Sequence, residues 1–300
     1  MVRNHRFSRL TTLTSLAVLV AIGVSVRCGT ATATLIAYDP FNQTAGAISG
    51  TASTSPGVWP TAQTWGGVGG TVNITSGSLS VPSGVVGLST DGNRAVLVNN
   101  ATNQVAAFRD FGTTYNTASD TDLWFSFLYR PTVTSGINEG ISLFNGTQEM
   151  LFFGSDGNGD LVIRAVQGQS TTASDANNQF ANTLVDATSN QTFQIVARIR
   201  GTTEYKIWVD PTGFDHLLGV PTGSKTASLL TGTGLQTFSF NRIRLGDATT
   251  SSTAGSADFD EFRMATTAVE VVPEPSTWAM ALGGVAAFFW RQSRRSRRSR

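Results

Sequence analysis

Few residues of this chain have side chains suited to catalysis, and they are scattered along the sequence. His216 is one of two histidines, and the other, His5, lies in the N-terminal segment. A Ser-His-Asp triad would have to use His216 as its base. The residue lies in a loop sequence between Pro211 and Pro221, which favours an ordinary surface histidine. The chain contains no His-Glu-x-x-His or Cys-x-x-Cys pattern, so a zinc site lacks ligands at a recognisable spacing.

Neighbouring carboxylates occur in the segment Asp258-Phe-Asp-Glu-Phe262. A glycosidase needs two carboxyl groups about 5 to 10 Å apart on either side of the scissile bond. On a β-strand, Asp258 and Asp260 would share one face while Glu261 points to the other. We therefore expect a structural strand here, and the sequence predicts no catalytic residues and no enzyme.

Oxygen ligands alternate in a second segment, at Asp156, Asn158 and Asp160, as they do in a calcium loop. The sixth position of that loop pattern is Leu161 instead of Gly, and no Glu follows at position twelve. Asn-Gly and Asp-Gly pairs supply the positive φ of tight turns, so a hairpin turn is favoured. Calcium stays open as a ligand, with more distant acidic residues completing the site, and no other metal or cofactor is expected.

Aromatic residues are the remaining candidates for ligand binding. Trp59, Trp65 and Tyr115 lie in segments rich in Gly, Pro and Asn, where an exposed ring could pack against a sugar. Trp124 and Trp208 alternate out of phase with the apolar residues of their own segments. These two rings would either line the outer face of a sheet or pack under another segment, and packing is favoured.

The elements that must position these side chains are strands. Leu123, Phe125, Phe127 and Tyr129 alternate with other residues, and the same period of two recurs over residues 193–199 and 205–209. Gly, Ser, Thr and Asn fill the connections, and no helical repeat of convincing length occurs. The pattern predicts an all-β fold, an antiparallel β-sandwich of the jelly-roll type.

Charge is distributed in blocks along the chain. Between Thr34 and Val272 there are 11 Lys and Arg residues against 19 Asp and Glu residues, a net charge of −8. Four arginines precede this body and six follow Trp290. Binding to phosphate groups requires a basic face, so the acidic body argues against nucleic acid as a partner.

The first 33 residues have the organisation of a secretory signal peptide. A basic start precedes the apolar run from Leu13 to Val26, and Ala31 and Ala33 form an Ala-x-Ala cleavage site. The run of 14 residues is short for a bilayer, which needs about 20. We expect export through the Sec translocon and cleavage by signal peptidase after Ala33. This cleavage would remove Cys28, the sole cysteine.

The C-terminal end combines an apolar segment with a basic tail. Residues 278–290 are apolar, and Trp278 and Trp290 bound the segment. As a helix it would be about 20 Å long, shorter than a hydrocarbon core of about 30 Å. We expect a short transmembrane segment with its tryptophans at the interfaces and the basic tail, residues 291–300 beginning with Arg291, in the cytoplasm.

Val272-Pro273-Glu274-Pro275-Ser276, followed by this apolar segment and the arginine cluster, resembles the PEP-CTERM sorting domain of bacteria that produce exopolysaccharide. The resemblance implies that the tail holds the exported protein at the inner membrane. Exosortase, a membrane-embedded enzyme similar to cysteine transpeptidases, would then cut near Pro273, Glu274 and Pro275. It also implies a final location at the cell surface or in the extracellular matrix.

The order of segments in the body carries a second resemblance, to the concanavalin A-like, laminin G-type sandwich. It rests on LIAYDPF at residues 35–41, the Trp124 segment, EYKIWVDP, FNRIRLGD and the closing DFDEFRM. In that fold the first and last strands pair. We assign residues 34–268 to this sandwich and 269–277 to a linker that contains the Pro-Glu-Pro motif.

Three classes of function fit these features. The favoured class is a non-catalytic surface or matrix protein associated with exopolysaccharide. The alternatives are a structural adhesin that binds proteins and a carbohydrate-active hydrolase on the same fold.

Overall fold

Strands make up most of the chain that the computed structural model describes. The described residues are 34–52, 58–60, 62–68, 70–85, 90, 92–99, 105–118, 122–133, 138–166, 178–200, 204–212, 226–230, 238–247 and 255–272. Within them the strands, numbered in chain order, form two sheets, which we call sheet A and sheet B.

Sheet A contains nine strands among the described residues: β1 (Leu35–Asp39), β2 (Gly46–Ala47), β4 (Val72–Ser76), β5 (Asn93–Asn99), β7 (Leu123–Pro131), β12 (Phe193–Arg200), β13 (Glu204–Val209), β14 (Thr226–Leu230) and β16 (Gly255–Ala265). Sheet B contains seven: β3 (Gly66–Val68), β6 (Ala106–Asn116), β8 (Glu139–Asn145), β9 (Gln148–Ser155), β10 (Asp160–Val166), β11 (Asn178–Asp186) and β15 (Ser239–Asp247). A short helix, α1 (Ala268–Val271), follows β16.

The strand order in sheet A is β14-β13-β12-β7-β16-β5-β4-β2, and β1 pairs with β16 beside this path. In sheet B the order is β11-β10-β9-β8-β15-β6-β3. Neighbouring strands are antiparallel, for example β12 with β13 and β8 with β9. The predicted antiparallel β-sandwich is therefore confirmed.

The first and last strands of the body pair, as the resemblance implied. In β1 and β16, Ala37 lies opposite Met264 and Asp39 lies opposite Phe262. β16 also pairs with β5 and β7, so the last strand of the body lies in the middle of sheet A. A bulge between Asp260 and Arg263 interrupts the register with β7, and Glu261 has a φ of 53° there.

The core lies between the two sheets and consists of the residues that alternate inward on each strand. Sheet A contributes the faces of β7, β12 and β13 that the sequence predicted, and sheet B contributes residues of β8, β9, β10 and β15. The fully buried members include Phe125, Phe127, Ile195, Tyr205, Ile207, Leu143, Phe153, Ile163, Phe240 and Ile243. For β7, β12 and β13, strand periodicity therefore predicted which side faces the core between the sheets.

Helix α1 packs against the face of sheet A that points away from this core. Ala268, Val271 and Val272 are buried in a cluster with Trp124 and Trp208. The sequence prediction assigned residues 269–277 to a linker, whereas the fold places the first four of them, residues 269–272, on the body. Burial of the two adjacent valine side chains against the apolar surface of sheet A is favourable, because it removes them from water.

Several predicted features fall outside the described residues. They are the signal peptide with Ala31 and Ala33, His216, the motif Pro273, Glu274 and Pro275, the segment 278–290 with Trp278 and Trp290, and the basic tail from Arg291. In the part of the chain that is described, no helix has the length and apolar character that a membrane span requires.

Candidate functional site

The carboxylates of the closing strand are each held by partners within the body. Asp258 accepts hydrogen bonds from Nε of Arg94 at 3.0 Å and from Nε of Arg130 at 3.0 Å. Glu261 accepts from the Tyr38 hydroxyl at 2.9 Å and from Nη2 of Arg263 at 3.1 Å. Both side chains are buried, so they join β16 to neighbouring segments.

Asp260 is buried as well, and its hydrogen-bond partners differ from those of Asp258 and Glu261. Its carboxylate accepts hydrogen bonds from the Ser78 hydroxyl and from the backbone N–H of Leu79, the latter at 2.8 Å. The backbone N–H of Glu261 donates to the other carboxylate oxygen at 2.8 Å. Burial, with a smaller contribution from the charge of Glu261, raises the pKa of Asp260 to about 7.

The raised pKa of Asp260 predicts a pH dependence of stability. The folded protein binds the Asp260 proton more tightly than the unfolded chain, where the pKa is about 3.9. The stabilising contribution is therefore complete below about pH 4 and is lost as the pH rises through about 7. Asp260→Asn should flatten the fall in the free energy of unfolding over this range by about 1 kcal/mol per pH unit. Denaturant unfolding at several pH values measures it, and an unchanged slope would contradict the prediction.

The segment predicted as a hairpin turn or a calcium loop forms the turn between β9 and β10. Oδ1 of Asp156 accepts hydrogen bonds from the backbone N–H of Asn158 at 2.9 Å and of Asp160 at 3.0 Å. Gly159 has a φ of 94°, which suits glycine. Among the described residues, no group of three or more His, Cys, Asp or Glu side chains could hold a metal ion.

The protein's own amides thus satisfy Asp156, and we expect calcium to add little stability. Thermal melts in millimolar calcium and in excess chelator should agree within about 2 °C, because only tight binding to the folded state shifts the midpoint. Magnesium at the same concentration controls for ionic strength. A calcium-specific rise of many degrees would contradict the prediction.

The three aromatic residues that the sequence suggested as sugar-binding platforms pack in or against the core of the body. The Trp65 ring is 1% exposed, and its Nε1 donates to Oδ2 of Asp39 at 2.8 Å. The Trp59 ring stacks on Phe111 with centroids 5.3 Å apart, and Tyr115 is packed partly into the core. The expectation of an exposed ring is wrong for Trp65, because its indole N–H meets a buried carboxylate.

Trp124 and Trp208 lie on the outer face of sheet A, as their phase predicted, and they are buried. Their rings stack with centroids 5.6 Å apart and planes at 15°. The guanidinium of Arg198 lies 5.0 Å from the Trp124 ring centroid and pairs with Asp122. Helix α1 and Val272 cover the pair, so neither ring presents a face to solvent.

A polar groove lies on sheet B where β6 and β15 run side by side. We call it the β6–β15 groove. It encloses about 340 Å³ and is lined by Gln63, Asp110, Gly112, Thr113, Thr114, Asn241 and Arg242. The amide, hydroxyl and carboxylate groups of this lining can exchange hydrogen bonds with a hydroxyl-rich ligand.

An ion pair forms the centre of the groove lining. Nε and Nη2 of Arg242 donate to the two carboxylate oxygens of Asp110 at 2.5 and 3.1 Å. These hydrogen bonds raise the pKa of Arg242, so the guanidinium stays charged. The Asp110 side chain is 43% exposed. It therefore keeps acceptor capacity toward solvent while its charge is balanced.

The groove continues into an outer face where arginines lie over aromatic rings. Arg242 lies 5.5 Å from the Phe108 centroid and Arg244 lies 4.6 Å from the Phe144 centroid. Nη2 of Arg244 donates to Glu149 at 2.8 Å. Each contact holds a cation in a fixed orientation on the sheet.

Sequence reasoning missed Asp110 and Arg242 as site residues, although a signal was present. In β15, Arg242 and Arg244 alternate with the buried Ile243 and Leu245, so a period of two places the arginines on the outer face. Asp110 lies on β6. The pairing of β6 with β15, which brings Asp110 opposite Arg242, is a tertiary feature.

Comparisons with known proteins support the same division into a body and a tail. The family model of the PEP-CTERM protein-sorting motif matches residues 271–295. A search of curated proteins finds no match.

Solved structures with a similar arrangement of strands include three with low sequence identity. The T. cruzi calreticulin globular domain is 15% identical, with a TM-score of 0.43 over 69% of this chain and 86% of that chain. The endo-beta-1,4-glucuronan lyase from the fungus Trichoderma reesei is 16% identical, with a TM-score of 0.42 over 67% and 90% of the two chains. Cellulose induced protein, Cip1, is 11% identical, with a TM-score of 0.44 over 66% and 87%.

The tail and the fold together define the kind of protein. Residues 271–295 are a PEP-CTERM sorting motif, the signal that exosortase recognises, and the chain is an exported protein with a β-sandwich body that is anchored in the membrane before processing.

Proposed function

We propose that this protein is a non-catalytic component of the cell surface or extracellular matrix and binds exopolysaccharide in the β6–β15 groove. The Sec translocon and signal peptidase would act on residues 1–33. Exosortase would then act at the C-terminal motif and release the body to its final location.

The observation that carries the proposal is the chemistry of the groove lining. Sugar hydroxyls require donors and acceptors at fixed positions, and the lining supplies amides, threonine hydroxyls and the exposed carboxylate of Asp110. The pairing of Arg242 with Asp110 holds the carboxylate in one orientation. A preorganised acceptor loses little entropy when a diol binds to it.

Charge favours a neutral polymer over an acidic one. Arg242 is neutralised by Asp110, and the body carries a net charge of −8 between Thr34 and Val272. An acidic polysaccharide would meet repulsion from the body as a whole without a free cation in the groove lining. We therefore expect preference for uncharged stretches of the exopolysaccharide.

The lining also favours binding over hydrolysis. Glycosidases place two carboxyl groups about 5 to 10 Å apart across the bond that they cut. Asp110 is the sole carboxylate among the residues that line the groove. Asp258, Asp260 and Glu261 hold the closing strand in place instead.

Asp110→Ala tests the proposal because it removes the exposed acceptor. We expect its affinity for neutral exopolysaccharide purified from the native host to fall at least about tenfold, as for a lost charged hydrogen bond. Affinity electrophoresis in gels that contain the polymer measures this change. Surface pairs contribute at most about 1 kcal/mol to stability, so the variant should stay folded.

Asp122→Ala is the matched control. Asp122 forms the same two-point pair with Arg198, at 2.8 and 3.1 Å, but on sheet A. Its side chain is 35% exposed, similar to Asp110. Equal binding by the wild type and both variants would contradict the groove as the site, and release of reducing sugar would favour the hydrolase.

A further inference from the structure

The Pro-Glu-Pro stretch of the sorting motif, residues 273–275, begins directly at the edge of the folded body, and Val271 and Val272, the first two residues of the matched range, belong to that body. Val272 is fully buried, and Pro273 is the next residue in the sequence. The five residues 273–277 separate Val272 from the predicted membrane segment. The body therefore has no free spacer in front of the motif.

The backbone on the N-terminal side of the Pro-Glu-Pro stretch is already hydrogen-bonded within the body. The carbonyl of Val271 accepts a hydrogen bond from the Ser126 hydroxyl at 2.6 Å. The N–H of Val272 donates to the carbonyl of Ala268 at 2.9 Å. Enzymes that bind an extended peptide use these same backbone groups. A chain docked on sheet A cannot offer them at the same time.

Side-chain burial adds to this attachment. Val271 and Val272 are 0% exposed and belong to the cluster that contains Trp124 and Trp208. We call residues 268–272 the docked segment. Its release would expose two valines and the stacked tryptophan pair to water, which is unfavourable.

We propose that the docked segment inhibits processing of the folded protein, so that its release from sheet A must precede cleavage by exosortase. An enzyme that binds its substrate as an extended chain would act only on the small population of molecules in which the segment is released. The stability of docking then sets the rate at which the tail is removed. This proposal depends on the sorting motif and is independent of exopolysaccharide binding in the β6–β15 groove.

Ser126→Ala tests the proposal from a position 145 residues away from Val271 in the sequence. The variant removes the hydroxyl that holds the Val271 carbonyl and leaves the motif unchanged. In pulse–chase labelling of cells with exosortase, we expect the half-time of conversion to the shorter form to fall about fivefold, which corresponds to about 1 kcal/mol. An unchanged or longer half-time would overturn the proposal.

Ser142→Ala is the matched control. Ser142 is also a buried strand serine, and its hydroxyl donates to Oε1 of Glu149 at 2.5 Å on sheet B. Its loss should leave the half-time of processing at the wild-type value. Equal acceleration by both variants would show that general destabilisation, and not release of the docked segment, speeds cleavage.

A second variant keeps the test valid if Ser126→Ala fails to fold. Eight Gly and Ser residues inserted between Val272 and Pro273 give the motif a spacer of up to about 26 Å without altering the docked segment. We expect processing at least as fast as in Ser126→Ala, and no further gain when the two changes are combined. Slower processing of the insertion variant, or an undiminished Ser126→Ala effect within it, would overturn the proposal.

Discussion

Replacement of Pro273, Glu274 and Pro275 by alanine is expected to abolish removal of the C-terminal tail. Residues 271–295 match the PEP-CTERM sorting motif, and these three residues are the Pro-Glu-Pro within that range. Proline lacks a backbone N–H and resists helix, so two prolines around a glutamate favour an extended chain that an enzyme can bind. Without them the protein should persist as the larger, membrane-bound form, as it would in cells that lack exosortase.

Cell fractionation with mass spectrometry of the C-terminus measures this outcome. The matched control replaces Gln292, Ser293 and Ser296 by alanine, which changes the same number of residues in the same tail and keeps its charge. It should be processed normally. A wild-type protein that keeps its arginine tail in the native host would contradict the sorting interpretation and leave a permanent anchor.

The second large effect is expected at Arg109, on the buried side of β6. Nη1 of Arg109 donates to Oδ2 of Asp39 at 2.5 Å, and the two side chains are 2% and 0% exposed. The guanidinium lies 3.9 Å from the Trp59 ring centroid. Arg109→Met would leave the Asp39 carboxylate buried without its cation. Loss of one partner of a buried pair costs about 3 to 5 kcal/mol, which is a large part of the stability of a domain.

Denaturant unfolding of the purified body measures this loss. Arg130→Met is the control, because Asp258 keeps its contact with Arg94 when Arg130 is removed. The control should lose about 1 kcal/mol or less. Asp39→Asn combined with Arg109→Met should recover part of the stability, since no buried charge is then left over. A loss below about 1 kcal/mol for Arg109→Met alone would contradict the prediction.

Asp39 also shows why the exposure predicted for the Trp65 ring is wrong. Its carboxylate accepts from Nε1 of Trp65, from the backbone N–H of Phe41 and from Arg109. These partners are 2 to 70 residues away along the chain. The loop composition around Trp65 indicated an exposed ring. The ring is buried instead, because its indole N–H has a buried acceptor in Asp39.

The outer-face position of Arg242 could be predicted from the sequence, but its pairing with Asp110 could not. Alternation in β15 places Arg242 on the outer face, and the register with β6 places it opposite Asp110. A one-residue change of register would separate them. The β6–β15 groove therefore depends on strand pairing, which short-range patterns do not specify.

The sequence by itself determined the features that depend on local order. The PEP-CTERM motif is a contiguous stretch, and a period of two identified the sides of β7, β12 and β13 that face the core between the sheets. The tertiary structure alone decided that the DFDEF carboxylates are bound to partners up to 223 residues away and that Val271 and Val272 dock under Ser126 on sheet A. The physical reason is that alternation is imposed by the geometry of a single strand, whereas burial of a carboxylate, an indole or a valine depends on which distant segments cover it.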